Sequence, residues 1–193
     1  MPNGTLVIAW AGDSMAIVFR PQEVDDSWPP FCSTRSKRAY PDILYRLQEH
    51  TLYVKEECDR IARAGGIISD ISSVKRLIPP EESYDIIRER RLAVNMARAL
   101  GHILLSKCGL IPNPEFSPPI IVKPGDRLLI ASDGLFPKQR TEEIACTECE
   151  YAKPQAAALH MVERSLAWDR EKSYQSDNTT CVCVHFTAPP PPR

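Results

Sequence analysis

Residues 127–136 read RLLIASDGLF, an apolar, strand-like run that stops at Ser132-Asp133-Gly134. A carboxylate set where a buried strand meets a turn is rigidly placed and still reaches solvent. Two other stretches repeat the arrangement. LVIAWAGDSMAIVF (6–19) holds Gly12-Asp13 between two apolar runs, and Ser176-Asp177-Asn178 opens onto TTCVCVHF (179–186). Asp-Gly and Ser-Asp-Asn are ordinary turn chemistry, so one such aspartate alone reads as a turn residue. Three in the same strand-to-loop context suit a hard divalent cation, because Mg²⁺ and Mn²⁺ prefer oxygen ligands.

Outward from these stretches the pattern is mixed α and β. Residues 5–11 and 15–20 are predicted to form an antiparallel pair through Gly12-Asp13-Ser14. The polar, proline-bearing residues 21–42 read as a long surface excursion. A helix is expected over 52–64, with Val54, Cys58, Ile61 and Ala62 on one face and Gly65-Gly66 as its stop. Ile67, Ile68 and Ile71 suggest a strand, and the charged residues 79–91 a surface insertion. The apolar run 92–100 ends at Gly101, and Pro112, Pro114, Pro118 and Pro119 mark an extended connection. Strands are expected near 119–122 and 127–132, turning at Pro124-Gly125-Asp126. Two helices follow. The first runs from Thr141, its cap, to about Ala152. The second runs from Gln155 to Arg170, with Ala157, Leu159, Met161, Val162, Leu166 and Trp168 as apolar surface. A last strand covers 179–186. Paired strands followed by consecutive helices give an α+β class rather than alternating βαβ units.

The chain has 193 residues, 43% hydrophobic and 25% charged, with a formal net charge of −1. That suffices for one domain with a real core. It supplies no global field for nucleic acid or an acidic membrane. No apolar run approaches the ~20 residues of a membrane span, and MPNGTLVIAW lacks a leader's basic region. The expectation is an intracellular protein, cytoplasmic or nuclear. No GxxxxGK[ST], GxGxxG, GxSxG or HExxH pattern occurs, which removes the usual support for P-loop, dinucleotide-binding, α/β-hydrolase and zincin chemistry. His160 reads as a helix-face residue and His50 as part of a solvated segment.

Seven cysteines, an odd number, sit inside apolar or helical patterns and do not read as a disulfide framework. Cys146 and Cys149, with Cys181, Cys183 and His185 on one strand face, form a weaker zinc alternative. Buried thiols packing as small core residues account for them more simply.

Five blocks now stand in order: VIAWAGDSMA (7–16), Glu57-x-x-Arg60-Ile61 with Gly65-Gly66, LAV and RALG within 92–101, LIASDGLF (129–136), and Asp177-Asn178-Thr179-Thr180 before alternating valines. Together they resemble the C-terminal part of the metal-dependent protein serine/threonine phosphatase family of type 2C. The resemblance implies a sandwich of two antiparallel β-sheets flanked by α-helices, with some N-terminal strands missing from this chain. The domain would cover 1–187, with 21–42 and 79–91 as insertions and 188–193 as a proline-rich tail. It further implies Mg²⁺ or Mn²⁺ as cofactor, phosphoserine and phosphothreonine proteins as substrates, and attack by a metal-activated water. Asp133 and Asp177 match the family's core metal ligands and are the candidate catalytic pair. Asp13 matches a weaker third position, and Gly134 lets the backbone turn tightly at the metal site. Ser132 and Asn178 match groups that hydrogen-bond around the ligands.

The departures are equally specific. Met15 stands where the family often has Arg, and His102 where it often has Asp. LAVNMARALGH carries two extra residues relative to LAVSRALGD. Asp133-Gly134 is the sole Asp-Gly pair, so the upstream DGHGG block, with the metal-bridging Asp and nearby His, has no match, nor has the phosphate-binding Arg. The expectation is a truncated domain with impaired activity alone. The alternative is a catalytically inactive phosphatase-like module that binds phosphoproteins; a gene model whose start lies upstream fits the same residues.

Overall fold

The computed structural model describes residues 4–22, 40–71, 73–80, 87, 92–135, 140–172 and 177–188, except the side chains of 168–172. In chain order its elements are β1 (Gly4–Leu6), β2 (Ala9–Trp10), β3 (Met15–Arg20), β4 (Asp42–Arg46), α1 (Lys55–Arg63), β5 (Ile67–Ile71), β6 (Val74–Ile78), α2 (Ile103–Ser106), β7 (Glu115–Phe116), β8 (Ile120–Val122), β9 (Arg127–Ala131), α3 (Thr141–Cys149), α4 (Pro154–Lys172) and β10 (Cys181–His185). Most of the two expected insertions, Cys32, the Trp168 side chain and tail residues 189–193 lie outside the described residues. All strand ladders are antiparallel, as the α+β class requires. Among the described residues no helix is long and apolar enough to cross a membrane.

The chain divides into two compact units. The first holds Met15–Leu47 and Pro118–Arg193 together with the N-terminal residues to Val7. Its four-stranded sheet runs β10-β9-β3-β4, and β1 pairs with β8 in a separate two-stranded sheet. The five residues Met15 to Phe19 are all buried, so β3 is covered on both faces as well as bonded along both edges. The antiparallel pair expected between 5–11 and 15–20 does not form. β1 pairs with β8, β2 with β7, and β3 with β9 and β4. Sequence adjacency favours a hairpin, but β9 offers β3 a five-residue register from Met15↔Ala131 to Phe19↔Arg127. Beyond it, the Asp126 carboxylate accepts from Arg20 Nε at 2.7 Å and Nη2 at 2.9 Å, and from the Lys123 backbone N–H at 2.8 Å. These bonds brace the predicted Pro124-Gly125 turn, where Gly125 has φ +96°, a left-handed conformation that favours glycine.

Helix α3 begins at Thr141 itself, with Arg140 in the cap position. Glu143 Oε2 accepts the Arg140 backbone N–H at 3.5 Å. On α4, Ala157, Met161 and Ser165 form the buried line at four-residue spacing. Leu159 lies about 200° round the helix from Ala157 and is 61% exposed, contrary to its expected packing role. Cys181, Cys183 and His185 do share one face of β10, but other side chains satisfy that face. Cys181 Sγ lies 4.0 Å from Met161 Sδ and 3.8 Å from Cys183 Sγ, and His185 Nε2 lies 2.5 Å from Glu148 Oε1. Glu148 also accepts Arg127 Nη1 at 2.6 Å. Burial pushes the Cys149 thiol up to about 11, away from the thiolate a metal needs. No cysteine joins a metal-competent group among the described residues, so the zinc alternative has no support.

The second unit comprises Ile8–Ser14 and Gln48–Ser117. Its core packs Leu52, Ile61, Leu77, Val94, Ala97, Ala99, Leu105, Cys108 and Leu110. The helix starts at Lys55, later than expected, and its buried residues are Glu57 and Ile61, with Ala62 exposed. Residues 92–100 form no regular element; they cross the core as isolated bridges, Leu77↔Val94, Thr51↔Met96 and Arg98↔Ile111. Gly66 sits where a Cβ would lie 2.2 Å from the Cys108 carbonyl oxygen and 2.7 Å from Ile61 Cγ2. Gly66→Ala must therefore displace backbone, and we expect a loss of about 1–3 kcal/mol in urea denaturation. A variant as stable as wild type would contradict this packing.

Candidate metal centre

In the first unit, two loops are interlocked at the end of the β9–β10 ladder. The ladder ends at Ala131↔Cys181, and Ser132 extends it: its N–H donates to the Thr180 carbonyl at 3.1 Å. Ser132 Oγ donates to the Asn178 carbonyl and accepts the Thr180 N–H, both at 3.0 Å. Gly134 then approaches so closely that a Cβ would lie 2.7 Å from the Asn178 carbonyl oxygen and 2.8 Å from Thr179 Oγ1. Asp133 stands between these two pinned residues and is half-buried; Asp177 precedes the loop they grip and is exposed. Asp177 Oδ1 accepts the Asn178 N–H at 2.7 Å, which orients the carboxylate. Ser132 thus bonds the Asn178 main chain. Gly134 has only its carbonyl to offer a cation, and that oxygen accepts Ser165 Oγ from α4 at 2.9 Å.

These features fit the cation class the resemblance implies. Two carboxylates on cross-braced loops supply hard oxygen donors, the kind Mg²⁺ and Mn²⁺ prefer, although among the described residues none of the three aspartates joins a group of three ligand atoms within 4.8 Å of one another. Asp133 and Asp177 would hold the ion.

Asp13 belongs to the second unit. It follows Gly12, a buried residue with φ +129°, and Asn95 Nδ2 lies 3.5 Å from its Oδ2. The turn is gripped by His50, whose N–H donates to the Gly12 carbonyl at 2.9 Å while its Nδ1 accepts the Gly12 N–H at 3.1 Å. His50 is 3% exposed, which corrects the expectation of a solvated segment. Its ring stacks on Trp10, with centroids 5.8 Å apart and planes at 12°.

His50, Glu57 and Glu115 bring three possible ligand atoms within 4.8 Å of one another. The spacing is one a cation can use, but two arginines already supply positive charge there. Arg98 donates to Glu57 Oε1 at 2.6 and 3.0 Å and to Glu115 Oε1 at 2.7 Å. Arg60 pairs with Glu57 Oε2 and donates to the Ala97 carbonyl at 2.6 Å. Burial alone would raise the Glu57 pKa, but hydrogen bonds from Arg98 and Arg60 hold it below its ordinary 4.5. Burial, then the Arg98 charge, push His50 below its ordinary 6.5, outweighing Glu115 and Glu57. Because Nδ1 accepts, the neutral ring carries its proton on Nε2. That N–H lies 3.4 Å from Glu115 Oε2 but lacks the alignment of a hydrogen bond. A cation at Nε2 would have to displace this proton. The sequence signal for the network was the Glu57-x-x-Arg60 spacing, one helical turn; nothing local pointed to Arg98 or Glu115.

A family model of protein phosphatase 2C matches residues 1–171. The chain belongs to the protein phosphatase 2C family. Two plant relatives carry the same name. Probable protein phosphatase 2C 12 of Oryza sativa subsp. japonica is 28% identical over 184 residues, 93% of this chain and 42% of the relative. Probable protein phosphatase 2C 72 of Arabidopsis thaliana is 30% identical over 182 residues, 93% of this chain and 50% of the relative. The chain therefore spans about half the length of these relatives. Among solved structures, a serine-threonine phosphatase 2C from Toxoplasma gondii superposes with a TM-score of 0.74 at 19% identity, covering 96% of this chain and 56% of that one. At that identity the likeness speaks for the fold.

The buried histidine sets a pH dependence. The unfolded His50 binds a proton near pH 6.5, whereas the folded one resists it. Its contribution to stability is full above 6.5 and is lost as pH falls below that value towards the folded pKa. Glu57 behaves otherwise: its contribution is full above 4.5 and is lost only as pH falls through its depressed folded value. Urea midpoints should fall between pH 7 and 5.5 in wild type and less in His50→Asn. An identical pH slope for both would show that His50 is not held neutral.

Proposed function

We propose that this chain carries the Asp133/Asp177 metal-binding part of a serine/threonine protein phosphatase that takes phosphoproteins as substrates. The observation that carries this reading is the interlock of residues 132–134 with 178–180, which sets both carboxylates on adjacent loops, in a chain of the phosphatase 2C family. When bound, Mg²⁺ or Mn²⁺ lowers the pKa of an attacking water and offsets charge on the phosphoryl oxygens. The residues supply the rest. Asp133 and Asp177 would hold the ion, Ser132 and Gly134 keep the two loops in register, and Asp13, in the second unit, would offer a separate, looser position. No protein nucleophile is required. We place the protein inside the cell, where phosphoserine and phosphothreonine substrates occur.

A second reading, a phosphatase-like binding module without turnover, is favoured by two residues. Met15, in the place where the family often has Arg, is 2% exposed within β3. His102, in the place of an Asp, adopts φ 51°. Neither offers the charge of the residue it replaces. With no DGHGG block in the 193 residues, we expect the chain alone to hydrolyse a phosphothreonine peptide poorly. Losing ~4 kcal/mol of transition-state stabilisation already slows a reaction roughly a thousandfold.

Calorimetric titration with Mn²⁺ tests the ligand assignment. Asp133→Asn and Asp177→Asn should each weaken binding at least about tenfold, the scale of losses at ligand shells. Unchanged binding in both variants would remove these aspartates from the site. Robust Mn²⁺-dependent turnover by the 193-residue chain, abolished by Asp133→Asn, would exclude the module reading and show that this sequence supplies the remaining ligands without a DGHGG block.

A further inference from the structure

We infer that His50 is a positioning residue for Asp13: its neutral ring and its backbone N–H each bond Gly12, and together they fix the direction in which the Asp13 carboxylate is presented to a cation. The inference rests on the reading of Asp13 as a cation ligand. It extends that reading to a residue on a different segment, 37 positions away by number.

The geometry is unusually complete for a segment without regular structure. Gly12 is bonded to His50 twice, carbonyl to backbone N–H at 2.9 Å and N–H to imidazole Nδ1 at 3.1 Å. A glycine with φ +129° has little conformational preference of its own, so the turn takes its shape from what binds it. The histidine is itself held by its neighbours. The Ala97 N–H donates to the His50 carbonyl at 2.7 Å. Trp10 covers one ring face and is anchored through its Nε1–H to the Gln48 carbonyl at 2.9 Å. Glu115 Oε2 stands 3.4 Å from Nε2. Arg98, held by Glu57 and Glu115, keeps positive charge near the ring and so favours its neutral form. Only a neutral ring with the proton on Nε2 can accept at Nδ1. The burial, the arginine and the two-point grip therefore serve one tautomer. Asn95, 3.5 Å from Asp13 Oδ2, is the second constraint on the carboxylate.

The test uses the full chain, Mn²⁺ alone as probe, and NMR on protein labelled with ¹⁵N. In wild type, Nδ1 should show the shift of an unprotonated acceptor and Nε2 that of a protonated nitrogen. A protonated Nδ1 overturns the inference without any variant. Mn²⁺ is then titrated and the broadening of the Gly12 and Asp13 amides followed separately from that of Asp133 and Asp177. His50→Phe keeps a ring against Trp10 but removes the acceptor; it should need roughly tenfold more Mn²⁺ to broaden Asp13, a typical effect of removing a group that orients a ligand. Broadening of Asp133 and Asp177 should be unmoved. His50→Asn can present an oxygen at the Nδ1 position and should return most of the wild-type response. If Asp13→Asn abolishes the Asp13 response while His50→Phe leaves it at the wild-type value, the inference fails and the ligand reading stands. If Asp13→Asn leaves the response unchanged, the ligand reading fails and takes the inference with it.

Discussion

Strand β3 sets the terms for its unit. A five-residue run buried on both faces and hydrogen-bonded along both edges has no surface left to offer water. Everything beside it must be ordered to keep it dry: β9 in a five-residue register and β4 with a shift between Val18 and Phe19. Because β9 is fixed by β3, the point where β9 ends is fixed too. Asp133 inherits its position from that register, and β10, paired with β9, delivers the 177–180 loop to the same end.

The second unit is organised around a charge rather than a strand. Glu57, 4% exposed in α1, would be expensive to bury alone. Arg98 and Arg60 match its charge and spend their remaining donors on carbonyls of Ala97, Gly109 and Asn113. Irregular backbone that could not satisfy itself is thereby satisfied by the same side chains that stabilise the carboxylate. Within residues 92–100 the arginines satisfy the Ala97 carbonyl, while isolated backbone bonds to Leu77, His50 and Ile111 satisfy Val94, Ala97 and Ala99.

The strand-to-turn aspartates were legible because their signals are local: a period-two run ends and a turn residue follows. The two late helices were legible for the same reason. Pairing was less so. Nothing near Gly12 announces that the strand after it bonds to residues 127–131 and 42–46 rather than to the strand before it, since register is a property of two distant segments. His50 was misread as solvated because a single polar residue in an irregular stretch carries no periodicity, and its burial depends on Trp10, Gly12 and Glu115 meeting in three dimensions. Arg98 sat within an apolar-looking run that gave no hint of its carboxylate partners. Leu159 erred the other way, its hydrophobicity taken for burial although its angle on α4 faces it outward.

The stack of Trp10 on His50 has an optical consequence. An indole lying nearly parallel to an imidazole at 5.8 Å is sensitive to that ring's charge, because a cation over the indole face perturbs its π system and an imidazolium is an efficient quencher of indole emission. Trp10 is thus a built-in fluorophore reading the protonation of the one histidine whose neutrality the Gly12 turn requires.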